Sequence, residues 1–210
     1  FAIFGPENLT PQDDLRSPGD EAKLARWSLG TPGTFYCDGH AMKDKVTREG
    51  QADAGPNFDL MQETTLSLTE RAKLNKEVAL VTKLAAGMTS TSLAAQTSTP
   101  WDDDNIDPLA IIKAQALEIG LRTGKMPNIF VASAPVWTAL SMNANIRGLI
   151  TGAASAKAAM VSLQDLATLL EVDEVIVAKA VKNASIEGQA ASNAWVWGET
   201  ALLAVRAANP

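Results

Sequence analysis

One stretch of this sequence dictates more of the architecture than any other. From about Asp59 to Ala86, the residues Leu74, Val78, Val81 and Ala85 recur at spacings of 4, 3 and 4, which lays one apolar stripe along an α-helix. Lys73, Lys76, Glu77 and Lys83 lie mostly off that stripe, and Gly87 is a suitable stop. At 1.5 Å per residue such a helix runs roughly 40 Å, more than twice the length of an average helix. A chain of 210 residues that carries it must arrange its other elements beside a rod, so this segment reads as a spine.

The residues before the spine carry little apolar payload. Gly5-Pro6, Pro11, Pro18-Gly19 and Pro32-Gly33 interrupt 1–33 repeatedly. This predicts an extended N-terminal arm, with room for one short helix from Asp20, as N-cap, to Leu29. Such a segment needs a partner surface to become ordered. Residues 34–58 read as a long hairpin-like extended loop, with strand-like pieces at Thr34–Cys37 and Val46–Thr47 and a turn-rich end from Gly50 to Pro56. A long loop without its own core is usually functional or packs on something else.

Beyond the spine, 88–105 is Ser/Thr-rich and then acidic, ending near Trp101-Asp102-Asp103-Asp104. A second helix follows. Asp107 can cap it, Pro108 suits its first position, Thr123-Gly124 ends it, and Ile112, Ala116 and Ile119 line its apolar face. Past Lys125 the chain alternates. Asn128–Ser133 predicts a buried strand and Pro135–Met142 a short helix. Ser162 opens a helix to Leu170, with Asp165 three residues on as a variant capping box. Val175–Ala180 predicts another buried strand, Gly188 to Asn193 a loop, and Ala194–Val196 and Ala201–Val205 two strands around a Gly198-Glu199 turn. The fold class is α+β.

Charge narrows the partners. The net charge is −6, and the excess is local: 1–105 holds 10 basic and 16 acidic residues, 106–210 holds 8 of each. There is no basic run of the kind that exchanges counterions with phosphates, which argues against tight sequence-specific DNA binding. A single cysteine, Cys37, excludes an intrachain disulfide. No apolar run reaches membrane-spanning length, and no signal peptide is visible. The chain begins at Phe1, which fits either proteolytic processing or a partial sequence.

Groups able to do chemistry are few and isolated. His40, the only histidine, lies three residues after Cys37. A metal half-site or a nucleophile–base pair is one reading. Two unrelated residues on a loop is the other, favoured because no second Cys or His completes a ligand set. Asp102-Asp103-Asp104 lacks the alternating carboxylates and sharp Gly turn of a calcium loop and reads as a solvated acidic turn before a helix. No phosphate loop, dinucleotide fingerprint or nucleophile elbow is spelled out. Ser133 follows a strand and precedes a helix, as nucleophiles of α/β enzymes often do, but has no spare histidine as base; it reads as the cap of the Pro135 helix. Trp195 and Trp197 share a predicted strand face. With Trp27, Trp101 and Trp137 they read as core or interface residues rather than a base-stacking platform, which would want neighbouring cations. No catalytic, cofactor-binding or metal-binding residue is assigned, and no cofactor is expected.

The order of several phrases is similar to that in the major capsid proteins of tailed phages, which share the fold named for phage HK-ninety-seven. Tyr36-Cys37-Asp38-Gly39-His40-Ala41-Met42 resembles the start of that family's extended loop, and Leu74-Asn75-Lys76-Glu77-Val78-Ala79 its spine helix. Trp101-Asp102-Asp103 with Asp107-Pro108-Leu109-Ala110 resembles the entry to its next helix. Lys125 to Val131 and Pro135 to Leu140 resemble its strand-then-helix, Glu171 to Val177 a helix-to-strand step, and Ala194 to Leu203 its late strand pair.

The resemblance implies an N-terminal arm at 1–33, an extended loop at 34–58, and a peripheral domain at 59–124 that carries the spine. It further implies an axial domain at 125–193 and closing strands of the peripheral domain at 194–210. It implies a shell-building, non-enzymatic virion protein: a homo-oligomer of pentamers and hexamers tiling an icosahedral capsid, assembled in a bacterial cytoplasm. That shell encloses double-stranded DNA without sequence-specific binding and meets portal, scaffold or decoration proteins but no membrane. Some members crosslink through a Lys–Asn isopeptide bond. Lys43 and Lys45 lie on the loop that would reach, but no Asn or activating Glu matches, so no crosslink is expected. An encapsulin-type compartment is the alternative within the same fold, and a small α/β hydrolase using Ser133 or Cys37 is the alternative outside it.

Overall fold

Thr47 opens the first regular element. Its hydroxyl accepts a hydrogen bond from the Gly50 amide at 3.1 Å and caps α1 (Arg48–Asp53). Val46 and Thr47 therefore form no strand but lead into the helix, and the turn expected from Gly50 is helical as far as Asp53, because a hydroxyl at an N-cap outweighs the weak strand preference of two β-branched residues. The computed structural model describes residues 36, 39–55, 58–87, 101–151, 160–185 and 188–206. The arm at 1–33 with its Asp20 to Leu29 helix, most of the Thr34–Cys37 piece, and the Ser/Thr-rich 88–100 lie outside the described residues.

Gln51 joins α1 to the spine. Its Nε2 donates to the Phe58 carbonyl and its Oε1 accepts from the Leu60 amide, both at 2.9 Å. Asp59 Oδ1 then accepts from the amides of Met61 and Gln62, and α2 (Leu60–Gly87) runs for 28 residues, as expected. Leu74, Val78 and Val81 are half-buried and Ala85 is exposed; no residue from 60 to 86 is buried. The rod exists, but among the described residues it is only grazed.

The second helix, α3 (Pro108–Thr123), starts and stops where the sequence places it. Asp107 Oδ1 accepts from the amides of Leu109 and Ala110 at 3.0 and 3.3 Å, and Gly124 closes the helix at φ 69°, a conformation only glycine adopts without cost. β1 (Ile129–Ser133) follows, then α4 (Ala134–Met142), α5 (Ala144–Thr151), α6 (Leu163–Leu170), β2 (Glu174–Ala178), β3 (Val181–Asn183), β4 (Asn193–Trp195) and β5 (Ala201–Ala204). Gly148 to Gly152 reads in the sequence as a flexible join, yet α5 is helical through Thr151, since Asn143 and Asp104 satisfy its first turn. The capping box of α6 forms in full: Ser162 Oγ accepts from the Asp165 amide at 3.1 Å, and Asp165 Oδ2 accepts from the Ser162 amide at 3.0 Å.

β1 is the centre of a three-stranded sheet, parallel to β2 on one side and antiparallel to β5 on the other. The crossover from β1 to its parallel neighbour passes through α4, α5 and α6, the route a parallel pair requires. β2 was expected to be buried. It is an edge strand with no buried residue, and Ile176 is 39% exposed. The two late strands flank their turn but do not pair: β4 joins β3 in a separate two-stranded sheet, and β5 joins β1. A side-chain amide locks the start of β1, where Asn128 Oδ1 accepts from the Arg206 amide at 2.6 Å and Asn128 Nδ2 donates to the Arg206 carbonyl at 2.9 Å.

Register sorts the faces. Phe130 stands beside Val175 and Leu203, and Ala132 beside Ala201. This face packs on Leu109 and Ile112 of α3, Leu140 of α4, Ile146 of α5, and Leu166 and Leu170 of α6. Each buried aliphatic or aromatic side chain there contributes about 1.5–3 kcal/mol by leaving water. The result is a mixed α+β body with one core, drawn from helices on both sides of residue 125.

Candidate functional site

The acidic turn at 101–106 is a structural clamp around one amide. Asn143, between α4 and α5, is fully buried. Its Nδ2 donates to the carbonyls of Trp101 at 3.1 Å and of Asp103 and Ile106 at 3.3 Å, while its Oδ1 accepts from the Asn145 amide at 3.0 Å. Asn145 Nδ2 adds bonds to the carbonyls of Ile106 and Asp104 at 2.8 and 3.1 Å. Asp104 Oδ1 accepts from the Ala144 amide at 3.0 Å and so caps α5. Asp103 turns back on its own loop: the Asn105 amide, then the Asn105 side chain, hold its carboxyl below the usual carboxylate range. Two of the three acidic side chains are thus engaged in fixing local backbone. Neither Asn143 nor Asn145 stood out in the sequence, since nothing in composition or spacing separates a clamp asparagine from a loop asparagine.

The other candidates stay apart. His40 is exposed on an irregular stretch, and Cys37 lies outside the described residues. Among the described residues no three His, Cys, Asp or Glu side chains gather as a metal-binding group. Lys43 and Lys45 are exposed on the same stretch. Ser133 does occupy the N-cap position of α4, but its side chain makes no capping bond. Its Oγ is buried with no hydrogen-bond partner. Pro135 sits at the second helical position and has no N–H to offer, and the Val136 amide at the third is not taken by the Ser133 side chain either, so the capping role expected of Ser133 is not performed. Trp197 lies in the turn after β4 and not on its face. Its Nε1 donates to Glu77 Oε1 of α2 at 2.8 Å. Trp101 and Trp137 pack against the core, while Trp27 lies outside the described residues.

What the surface offers is apolar area. Asp102, Ala134, Pro135, Thr138, Ala139, Met142 and Trp195 line an open hollow of about 560 Å³. A second, smaller one is bounded by Leu117, Gly120, Leu121, Gly124, Lys125 and Met126. Leu121 is 84% exposed there, with Leu117 and Met126 also more than half exposed. Both are shallow and carry few polar groups, unlike a small-molecule pocket with convergent polar side chains. On the sheet, register sets Val131 beside Ile176 and Leu202 on the face opposite Phe130. Among the described residues no helix is long and apolar enough to cross a membrane.

Neither a family model nor a curated protein matches the chain. Among solved structures, a phage-related protein from Bordetella bronchiseptica RB50 is similar at 22% identity and a TM-score of 0.44, over 54% of this chain and 33% of that one. The chain therefore spans about a third of the length of that protein.

Proposed function

We propose that this chain is the shell-forming major capsid protein of a tailed phage, with a structural and not a catalytic role. The observation that carries the reading is α2, a 28-residue helix with no buried residue from 60 to 86. A helix normally derives its stability from burying one face. In a shell, neighbouring copies supply the missing cover. The ordered likeness of Tyr36–Met42, Leu74–Ala79, Asp107–Ala110 and Ala194–Leu203 to the capsid family supports the same reading. In it, 1–33 is the arm and 34–58 the extended loop. The peripheral parts 59–124 and 194–210 and the axial part 125–193 are joined through the shared core. Copies associate as pentamers and hexamers, and the shell encloses DNA, with portal, scaffold or decoration proteins as further partners.

Negative-stain microscopy of the purified protein tests this. Uniform polyhedral shells are expected; a monomer that persists at high concentration counts against the proposal. Shells filled with an enzyme and not DNA would move the assignment to an encapsulin-type compartment.

A further inference from the structure

We infer that the Trp197–Glu77 hydrogen bond is a fulcrum on which α2 alters its angle to the body formed by the described residues from 101 to 206. This rests on the shell reading, in which one chain must serve rings of five and of six copies and so must absorb two different inclinations between neighbours. The two partners are held very differently. Trp197 is fixed: Val196 beside it is buried and its amide donates to the Ala180 carbonyl at 2.9 Å. The Thr200 hydroxyl donates to the Trp197 carbonyl at 2.6 Å, and the strands on either side belong to two different sheets. Glu77 sits well inside the rod, with helix on both sides of it. The rod meets α1 only slightly and no element of the body more closely than that, and its half-buried residues only graze their neighbours. An indole N–H is a single donor, so one bond of 2.8 Å holds a separation while leaving rotation about it open. That combination, one partner anchored and the other on a shallowly held rod, makes a pivot and not a clamp.

Electron–electron spin distances test it. Labels are placed at Lys83→Cys on α2 and Thr168→Cys on α6, both exposed, in a Cys37→Ser background. The otherwise unaltered chain is expected to give one distribution wider than the label rotamers alone produce; a width no greater than that shows a clamp and overturns the fulcrum. Glu77→Ala and Trp197→Phe should each at least double the width of that distribution with unchanged circular dichroism. Glu77→Gln keeps an acceptor oxygen and should match the unaltered chain. A Glu77→Ala distribution no wider than that of the unaltered chain overturns the fulcrum, as does broadening in Glu77→Gln equal to that in Glu77→Ala. Trp197→Phe supplies the same reading from the other side if Glu77→Ala does not fold. Normal shells with unaltered widths in the variants sink the fulcrum alone. Broadened widths in a protein that never forms shells sink the shell reading and leave the pivot.

Discussion

The side-chain amide of Asn143 donates to the main-chain carbonyl of Trp101 at 3.1 Å, joining positions 42 residues apart in sequence. The same amide reaches Asp103 and Ile106, so one buried group holds the loop that precedes α3 against the junction of α4 and α5. Asn143→Ala removes donors that three carbonyls use and leaves an excavated polar site. A loss of about 3 kcal/mol is expected, from the desolvation cost of unpaired buried groups. Urea unfolding checks it: the midpoint should fall with an unchanged slope, and amide exchange should quicken first in α5.

Ser133 is the opposite case. Its hydroxyl is buried and unpartnered, so Ser133→Ala removes a desolvated polar group and costs almost no volume. A gain of about 1 kcal/mol is expected. The same variant addresses the hydrolase alternative. A serine-directed probe that labels the protein and loses its target in Ser133→Ala would revive that reading.

Both helix C-termini that end in left-handed backbone can be tuned. Gly124 closes α3 at φ 69°, and Glu171 closes α6 at φ 59°. Gly124→Ala should cost about 1 kcal/mol. Glu171→Gly should relieve strain of about 1 kcal/mol, while giving up a 3.2 Å ion pair with Lys113 that is largely solvated and contributes little. A net gain of a few tenths of a kcal/mol is expected, read as a higher midpoint in thermal unfolding.

Ser162 holds the Asp165 carboxyl below the usual carboxylate range, first through its hydroxyl and then through its amide. A depressed folded-state pKa contributes stability that is present above the unfolded value, near 4, and is lost as pH falls through the folded value. Asp165→Asn should therefore be less stable than the parent at pH 7, with no change in that gap down to about pH 5 and a narrowing gap below about pH 4. Denaturant midpoints measured across that range check the sign.

The elements legible in the sequence were those whose signals are local. Asp107, Pro108 and Gly124 bracket α3 by capping chemistry alone, and the Ser162–Asp165 pair does the same for α6. The spine was legible because its apolar repeat persists over several turns. The structure departs from expectation where tertiary bonds decide. α5 has Gly148 in its interior and reads as a join until Asp104, forty residues earlier, caps it. β4 and β5 read as neighbours because the turn between them is short, yet pairing is set by which strand each meets. The Asn128 bracket is invisible because its partner is Arg206, 78 residues away. Ser133 shows a subtler failure: it holds the cap position, but its side chain makes no capping bond and its hydroxyl is buried instead.

On the proposed shell reading, the patch formed by Leu117, Leu121 and Met126 separates folding from assembly. Leu121 projects from the end of α3, is 84% exposed and belongs to no core cluster, so a charge placed there meets water in the isolated subunit. Leu121→Glu should change subunit stability by no more than about 0.5 kcal/mol, as surface substitutions generally do. Between copies the cost is different. A carboxylate buried without a partner in an interface carries a desolvation penalty of several kcal/mol, repeated at every copy in a ring. Sedimentation at matched concentration is expected to show the parent as large particles and Leu121→Glu as small oligomers or monomers, with identical circular dichroism. Shell yield unaffected by Leu121→Glu would remove this face from the contacts between copies and shift the search to the hollow at Pro135, Met142 and Trp195.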